Sequence, residues 1–243
     1  MSALLEVDGA TKVFGGVRAL DGCAIEVAEG SVTGLIGPNG SGKTTLFNLV
    51  TGYLKPDGGR FRFAGHDVTH ADPGRLYRKG LTRTFQQARV FPQLTVVENM
   101  VVAGGYSWRQ MLTPRVAKAD RARAAELLDE FRLSHVADLL ASELSYGQRK
   151  LLEFAAVLMS SPRLVLLDEP TAGVNPVLIE TMERHIRDRN AAGVTFLIVE
   201  HDMGFVMRLC DPVIVLDRGA RIFTGTPAEA QRDPRVVDAY LGD

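Results

Sequence analysis

Apolar residues in this chain gather into short runs separated by glycine-rich and charged stretches. Runs at Leu4–Val7, Ile25–Val27 and Val32–Ile36 predict strands, because alternating or short continuous apolar stretches suit a pleated sheet. A glycine-rich loop comes next, and then a predicted helix over about Lys43–Val50. Gly52 ends that helix, and Lys55-Pro56-Asp57-Gly58-Gly59 reads as a turn. Arg60–Ala64 predicts a further strand. From about Gln86 to Leu144 the pattern becomes helical; between Val116 and Phe131, Ala125, Leu128 and Phe131 recur at helical spacing behind charged residues.

After Leu144 an α/β rhythm resumes. Leu164–Leu167 and Val194–Val199 are short, mostly apolar runs, the mark of strands covered on both faces. Helices are expected after each, at about Pro176–Ala192 and Asp202–Leu209, and Val213–Leu216 and Arg221–Phe223 read as closing strands. The order implies a mostly parallel sheet with helices on both faces, interrupted by a helical insertion. The expected organisation is one domain, 1–243, with 1–85 and 145–243 as an α/β core and 86–144 as a helical sub-lobe.

Composition narrows the function classes. The 243 residues are 46% hydrophobic, enough for a substantial core. Lys plus Arg is 28 against 29 for Asp plus Glu, a net charge of −1, and no basic run stands out, so nucleic acid is not an expected partner. Cys23 and Cys210 are far apart and form no CxxC pair; two buried free thiols are expected. Met1–Val7 is too short, and too acidic at Glu6, for a secretory signal. No apolar run approaches the ~20 residues that span a bilayer, so any membrane role would run through a partner.

The first chemical signal is Gly37-Pro38-Asn39-Gly40-Ser41-Gly42-Lys43-Thr44, a Walker A pattern between a strand and a helix. Glycines let the backbone turn its N–H groups onto phosphate oxygens, and the helix N-terminus adds its dipole. Lys43 supplies a cation for the β- and γ-phosphates and is expected to be solvated when no phosphate is present. The Thr44 hydroxyl suits Mg²⁺, and Thr45 can also reach a phosphate. A nucleotide polyphosphate with Mg²⁺ is therefore the expected ligand, as in P-loop ATPases, kinases and GTPases alike. The second signal is Asp168-Glu169 at the end of the run Leu164–Leu167, since ligands gather at the carboxyl ends of such strands. Asp168 would hold Mg²⁺ and Glu169 would act as general base on the attacking water.

Leu144-Ser145-Tyr146-Gly147-Gln148 precedes a helix, where a serine caps exposed N–H groups. The stretch resembles the signature of ABC ATPases, usually LSGGQ, with Tyr146 in place of the first glycine. The resemblance covers about Leu4–Gly242 and implies further roles. Gln86, in Arg83-Thr84-Phe85-Gln86, matches the Q-loop glutamine that contacts Mg²⁺ and the attacking water. Asn175, in Ala172-Gly173-Val174-Asn175, sits in the D-loop position, where Asp is commoner. His201 matches the switch histidine on the γ-phosphate, and Phe14 the aromatic that stacks on adenine. His66, His70, His135 and His185 show no ligand-like clustering.

The resemblance implies a P-loop NTPase fold of ABC type, α/β, with a mostly parallel core sheet, an N-terminal antiparallel β part and a helical sub-lobe. It implies a dimer, with itself or a related ATPase subunit, in which Leu144–Gln148 of each chain completes the other's ATP site. Phe14-Gly15-Gly16, Glu200-His201-Asp202-Met203 and the ending Ala239-Tyr240-Leu241-Gly242 resemble ATPase subunits of branched-chain amino acid importers. Urea or short-chain amide importers and the lipopolysaccharide-export ATPase are near relatives. A soluble ABC protein of repair or translation is more remote. The implied partners are a pair of polytopic permeases and, indirectly, a periplasmic or extracellular binding protein. The implied location is the cytoplasmic face of the inner or plasma membrane. Phe91 and Leu94, apolar residues flanking Pro92 in an expected loop, mark an expected docking surface for the permeases.

Overall fold

Two strands of twelve residues, β1 (Ala3–Phe14) and β2 (Val17–Ala28), open the chain as an antiparallel pair. Gly15 and Gly16 join them with φ of 53° and 87°, the left-handed pair that a two-residue hairpin requires. These strands are longer than their apolar runs, because their outer ends are held by backbone pairing and carry exposed side chains. A computed structural model describes residues 2–84, 90–105 and 114–241. The chain divides into two compact units: Met1–Arg83 with Arg163–Glu169 and Ile186–Asp243, and Thr84–Pro162 with Pro170–His185.

The first unit holds both sheets. β4 (Gly58–Phe63) and β5 (His66–Asp67) extend the opening pair into an antiparallel sheet of order β2-β1-β4-β5. β4 begins two residues before the expected Arg60. Gly58 pairs with Thr11 and Gly59 adopts φ 97°, so the backbone joins the ladder where side chains give no apolar signal.

The second sheet comprises β3 (Val32–Ile36), β6 (Leu81–Arg83), β7 (Leu164–Asp168), β8 (Thr195–Val199), β9 (Val213–Asp217) and β10 (Ala220–Gly225). Its order is β10-β9-β3-β8-β7-β6, parallel except for β10. Every residue of β3, β7 and β8 is buried, as their apolar runs require. β6, a three-residue edge strand, has no counterpart in the apolar pattern.

Among the described residues the helices are α1 (Lys43–Val50), α2 (Pro73–Arg78), α3 (Val96–Ala103), α4 (Pro114–Glu130) and α5 (Tyr146–Val157). They continue with α6 (Pro176–Ala191), α7 (Met203–Leu209), α8 (Pro227–Ala230) and α9 (Pro234–Leu241). None is long and apolar enough to cross a membrane. The core of the first unit joins Leu20, Ile25 and Phe63 of the antiparallel sheet, Leu46 and Phe47 of α1, and Leu166, Leu197 and Ile214 of the parallel sheet. Burying each such side chain contributes about 1.5–3 kcal/mol. Cys23 and Cys210 are free and buried, and burial pushes their thiols up to about 11 and about 12.

The second unit packs α3 against α4 and α5. The buried face of α4 carries Ala124, Leu127 and Leu128, and Phe131 follows it. Ala125 is exposed, a correction to the expected stripe: one residue of register turns a helical side chain by about 100°. Phe131 meets the edge of Phe154 at 5.3 Å and stacks on His185 at 4.0 Å, which makes His185 a core residue.

Candidate nucleotide-binding site

Parallel pairing brings the ends of four strands to one edge. Leu35 of β3 and Asp168 of β7 both pair with Val199 of β8, and Arg83 of β6 pairs with Leu166. The residues that follow are therefore neighbours: the loop 37–42 after β3, Glu169 after β7, and Glu200 and His201 after β8. This is where an open α/β sheet binds ligands.

The loop needs its glycines. Gly37 adopts φ 148°, and a Cβ there would come within 2.1 Å of the Leu216 carbonyl oxygen. At Gly42, with φ 102°, it would lie 2.6 Å from the Ala19 oxygen. The loop is tied to the β9–β10 turn by the Gly219 N–H, which donates to the Ser41 carbonyl at 3.0 Å. Gly42 is also the N-cap of α1, and it supplies no side-chain cap. By contrast, Asp72, Asp202 and Thr226 each accept from their own helices. The first turn of α1 thus offers backbone donors and contains no acidic residue. That donor set fits a phosphate group. Thr44 is exposed and Thr45 half-buried, while Asn39 and Gly40 are exposed, Pro38 half-buried and Ser41 buried.

Lys43 departs from expectation. It is buried, and its Nζ donates at 2.8 Å to both Gly37 and Pro38 carbonyl oxygens, with Ser41 Oγ 3.4 Å away. The loop curls around its own lysine and exposes carbonyls to it. Burial lowers the ammonium's pKa, and the charge of Glu169 acts in the opposite direction.

Asp168 closes β7 with a buried carboxylate. Its Oδ2 accepts from Arg83 Nη2 at 2.7 Å. Glu169 follows at φ 47°, a left-handed conformation that costs a non-glycine residue roughly 1 kcal/mol or more. Its N–H donates to the Val199 carbonyl, which fixes the turn. Glu169 Oε1 then lies 3.1 Å from His201 Nε2. The His201 backbone is held in turn by Glu200, a buried residue whose Oε2 accepts from the N–H groups of His201 and Asp202. Asp168 and the Thr44 hydroxyl are hard oxygen donors of the kind Mg²⁺ prefers.

Phe14 stands at the tip of the β1–β2 hairpin, 44% exposed, with Lys12 Nζ 5.5 Å from the ring centroid. It is not a core residue, and its face is available to a flat aromatic ligand.

The signature-like stretch lies in the second unit. Leu144 is buried, Ser145 and Tyr146 are exposed, and Gly147 and Gln148 are half-buried. Ser145 and Gln148 form a capping box: Ser145 Oγ accepts from the Gln148 N–H, and Gln148 Oε1 from the Ser145 N–H. A Cβ on Gly147 would lie 2.8 Å from the Leu178 Cδ2 methyl, the end of a side chain that can move aside. The Tyr146 hydroxyl donates to the Ala172 carbonyl at 3.1 Å and its ring lies against Gly173. Asn175 is exposed and caps α6 through Oδ1, which accepts from the Leu178 N–H. Gln86 lies outside the described residues.

Arg83 and Glu200 escaped sequence reasoning as separate contributors. Tyr146 carried one legible signal, a bulky side chain where the resembling pattern has glycine. Asn99 also escaped sequence reasoning. This buried side chain accepts from the Phe91 N–H and donates to the Phe91, Leu94 and Thr95 carbonyls, holding the 90–95 loop.

Comparison with known proteins agrees with this geometry. Residues 20–172 match the family described as ABC transporter, and residues 220–243 match the branched-chain amino acid ATP-binding cassette transporter family. The high-affinity branched-chain amino acid transport ATP-binding protein BraF of Pseudomonas aeruginosa is 39% identical over 250 residues, covering 99% of this chain and 98% of the relative. The corresponding Escherichia coli protein LivG is 36% identical, with the same coverage. Among solved structures, a nucleotide-free ATP-binding cassette from an ABC transporter superposes with a TM-score of 0.88 at 37% identity over the full length of both chains. The ADP conformation of such a cassette gives 0.87 at 37% identity. The chain therefore belongs to the ABC transporter family of ATP-binding cassettes, in its branched-chain amino acid group.

Proposed function

We propose that this chain is the ATP-hydrolysing subunit of an ABC importer for branched-chain or related amino acids. The observation that carries the chemistry is the meeting, at one sheet edge, of a phosphate loop, Asp168 and the Glu169–His201 pair. The cargo rests on the relatives, whose names specify branched-chain amino acid transport.

Phe14 stacks on the adenine, and the first turn of α1 with Lys43 holds the phosphates. Bound Mg²⁺, held by Thr44, Asp168 and Gln86, would supply charge neutralisation on the phosphate oxygens. Glu169 orients a water and accepts its proton as the water oxygen bonds to the terminal phosphorus and the bond to ADP breaks. His201, held by Glu200 and directed at Glu169, steadies that carboxylate and contacts the departing phosphate. Two such chains, identical or related, close so that Ser145 and Gly147 of each face the other's nucleotide, with Asn175 beside them. Solved relatives include a dimeric post-hydrolysis cassette bound to ADP and phosphate. The exposed ring of Phe91 meets a permease at the cytoplasmic face of the membrane, and a binding protein outside selects the amino acid.

Glu169→Gln tests the chemistry. The variant is expected to bind ATP as the parent does and to turn it over at least about 100-fold more slowly, the usual scale for a lost general base. Phosphate release and equilibrium nucleotide binding measure the two properties separately. Unchanged turnover would move the role to another residue.

A further inference from the structure

Arg83 is a buried cation at the carboxylate that would receive a metal ion. Its side chain is 5% exposed and that of Asp168 is 8% exposed. The guanidinium is anchored independently of that carboxylate. Nη1 donates to Asn48 Oδ1 at 2.6 Å and to Thr51 Oγ1 at 3.2 Å. The rings of Phe47 and Tyr53 flank it at 5.7 and 5.8 Å. Asn48 and Phe47 belong to α1, the helix that starts at the phosphate loop, and Thr51 ends it. Arg83 is thus a fixed feature of the site, and it cannot shed its proton.

The electrostatic consequence depends on what else is present. Arg83 and Asp168 together carry no net formal charge. A divalent cation approaching this pair gains the carboxylate's attraction and meets the guanidinium's repulsion from just behind it, in a poorly screened setting. Glu169 has resident partners of its own, His201 at 3.1 Å and the nearby charge of Lys43. Among the described residues no group of three or more His, Cys, Asp or Glu is placed to hold a metal ion. The triphosphate of a nucleotide adds several negative charges and changes that balance.

We propose that Arg83 is a resident counter-cation of Asp168: it keeps the carboxylate from holding a divalent ion alone, so that metal enters only together with nucleotide phosphates. Arg83 is on this view a positioning residue, acting through Asp168. The inference rests on the reading of this edge as a metal–ATP site.

The probe is Mn²⁺ alone, with free ion followed by electron paramagnetic resonance on the purified full chain, without nucleotide and then with ADP. The parent is expected to bind Mn²⁺ weakly without nucleotide and tightly with it. Arg83→Gln removes the charge and is expected to bind nucleotide-free Mn²⁺ at least about tenfold tighter than the parent. Arg83→Lys keeps the charge and should restore the parent's weak binding. Equal or weaker nucleotide-free binding in folded Arg83→Gln overturns the proposal. Should that variant not fold, Arg83→Met takes its place with the same two outcomes, and parental nucleotide-free binding as tight as binding with ADP overturns the proposal by itself. Weak Mn²⁺ binding by the parent both without and with ADP, corrected for the ion that free ADP holds, would instead overturn the reading of the site itself.

Discussion

At the residue scale, Lys43 shows how one side chain can serve a loop and a ligand. Its ammonium holds two carbonyls of the phosphate loop while burial disfavours its charge, so the two contributions to stability oppose. Lys43→Met keeps the aliphatic stem and removes both. The net change in folding stability is expected to stay within about 1 kcal/mol. Nucleotide affinity is expected to fall at least about tenfold, since a charged phosphate contact is lost. Thermal melting and nucleotide titration measure these side by side, and parental ATP affinity would contradict the assignment. Lys43 was legible from the sequence as a phosphate ligand because the Walker A pattern is local, while its bonds to the Gly37 and Pro38 carbonyls were not. Arg83 was not, because it meets Asp168 across 85 positions and nothing in its own surroundings announces the pair. Glu200 was hidden for a different reason: a carboxylate beside a histidine reads as spacing until its bonds to two backbone N–H groups are seen.

At the element scale, apolar periodicity located the continuous buried strands well. β3, β7 and β8 are buried throughout, and a strand with no exposed face leaves a nearly continuous apolar run, broken here by polar side chains only at Thr33, Asp168 and Thr195. Periodicity gave less where backbone pairing extends a strand past its apolar residues, as in β1, or where an edge strand is three residues long, as in β6. The loop before α3 shows the same division. Phe91 was readable as an apolar residue beside a proline, and its ring is 54% exposed, while Leu94 is half-buried. The device that holds the loop, Asn99, is a polar residue inside a helix and leaves no apolar signal. Two substitutions separate the loop's surface from its support. Phe91→Ala is expected to leave melting temperature and basal ATPase activity unchanged while recovery of the chain with membranes drops. Asn99→Leu is expected to cost about 1–3 kcal/mol of stability, because it leaves buried backbone groups unpaired. Equal loss of stability in both variants would place Phe91 in the structural support and remove it from the docking surface.

At the scale of the whole molecule, the chain carries two surfaces with different duties. One unit holds the phosphate loop, Asp168, Glu169 and His201, and the other holds Ser145, Gly147 and Asn175. A chain built this way reads ATP and not cargo. On the proposed function the amino acid is selected by partners, and the relatives' names carry that part of the account. The ATPase chemistry was legible because a phosphate site needs glycines, a lysine and a hydroxyl in fixed local order. The transported compound left no such mark, since no residue of this chain need touch it.

The most direct measurement is ATP-driven uptake by the intact transporter. The tagged chain would be recovered from membranes with its permeases, reconstituted into vesicles, and supplied with ATP on the side that bears the chain. Radiolabelled leucine, with the matching binding protein on the opposite side, should accumulate only when ATP hydrolysis proceeds, and vesicles carrying Glu169→Gln should accumulate none. Steady ATP hydrolysis without accumulation of leucine, isoleucine or valine, or equal uptake with Glu169→Gln, would contradict the proposed function.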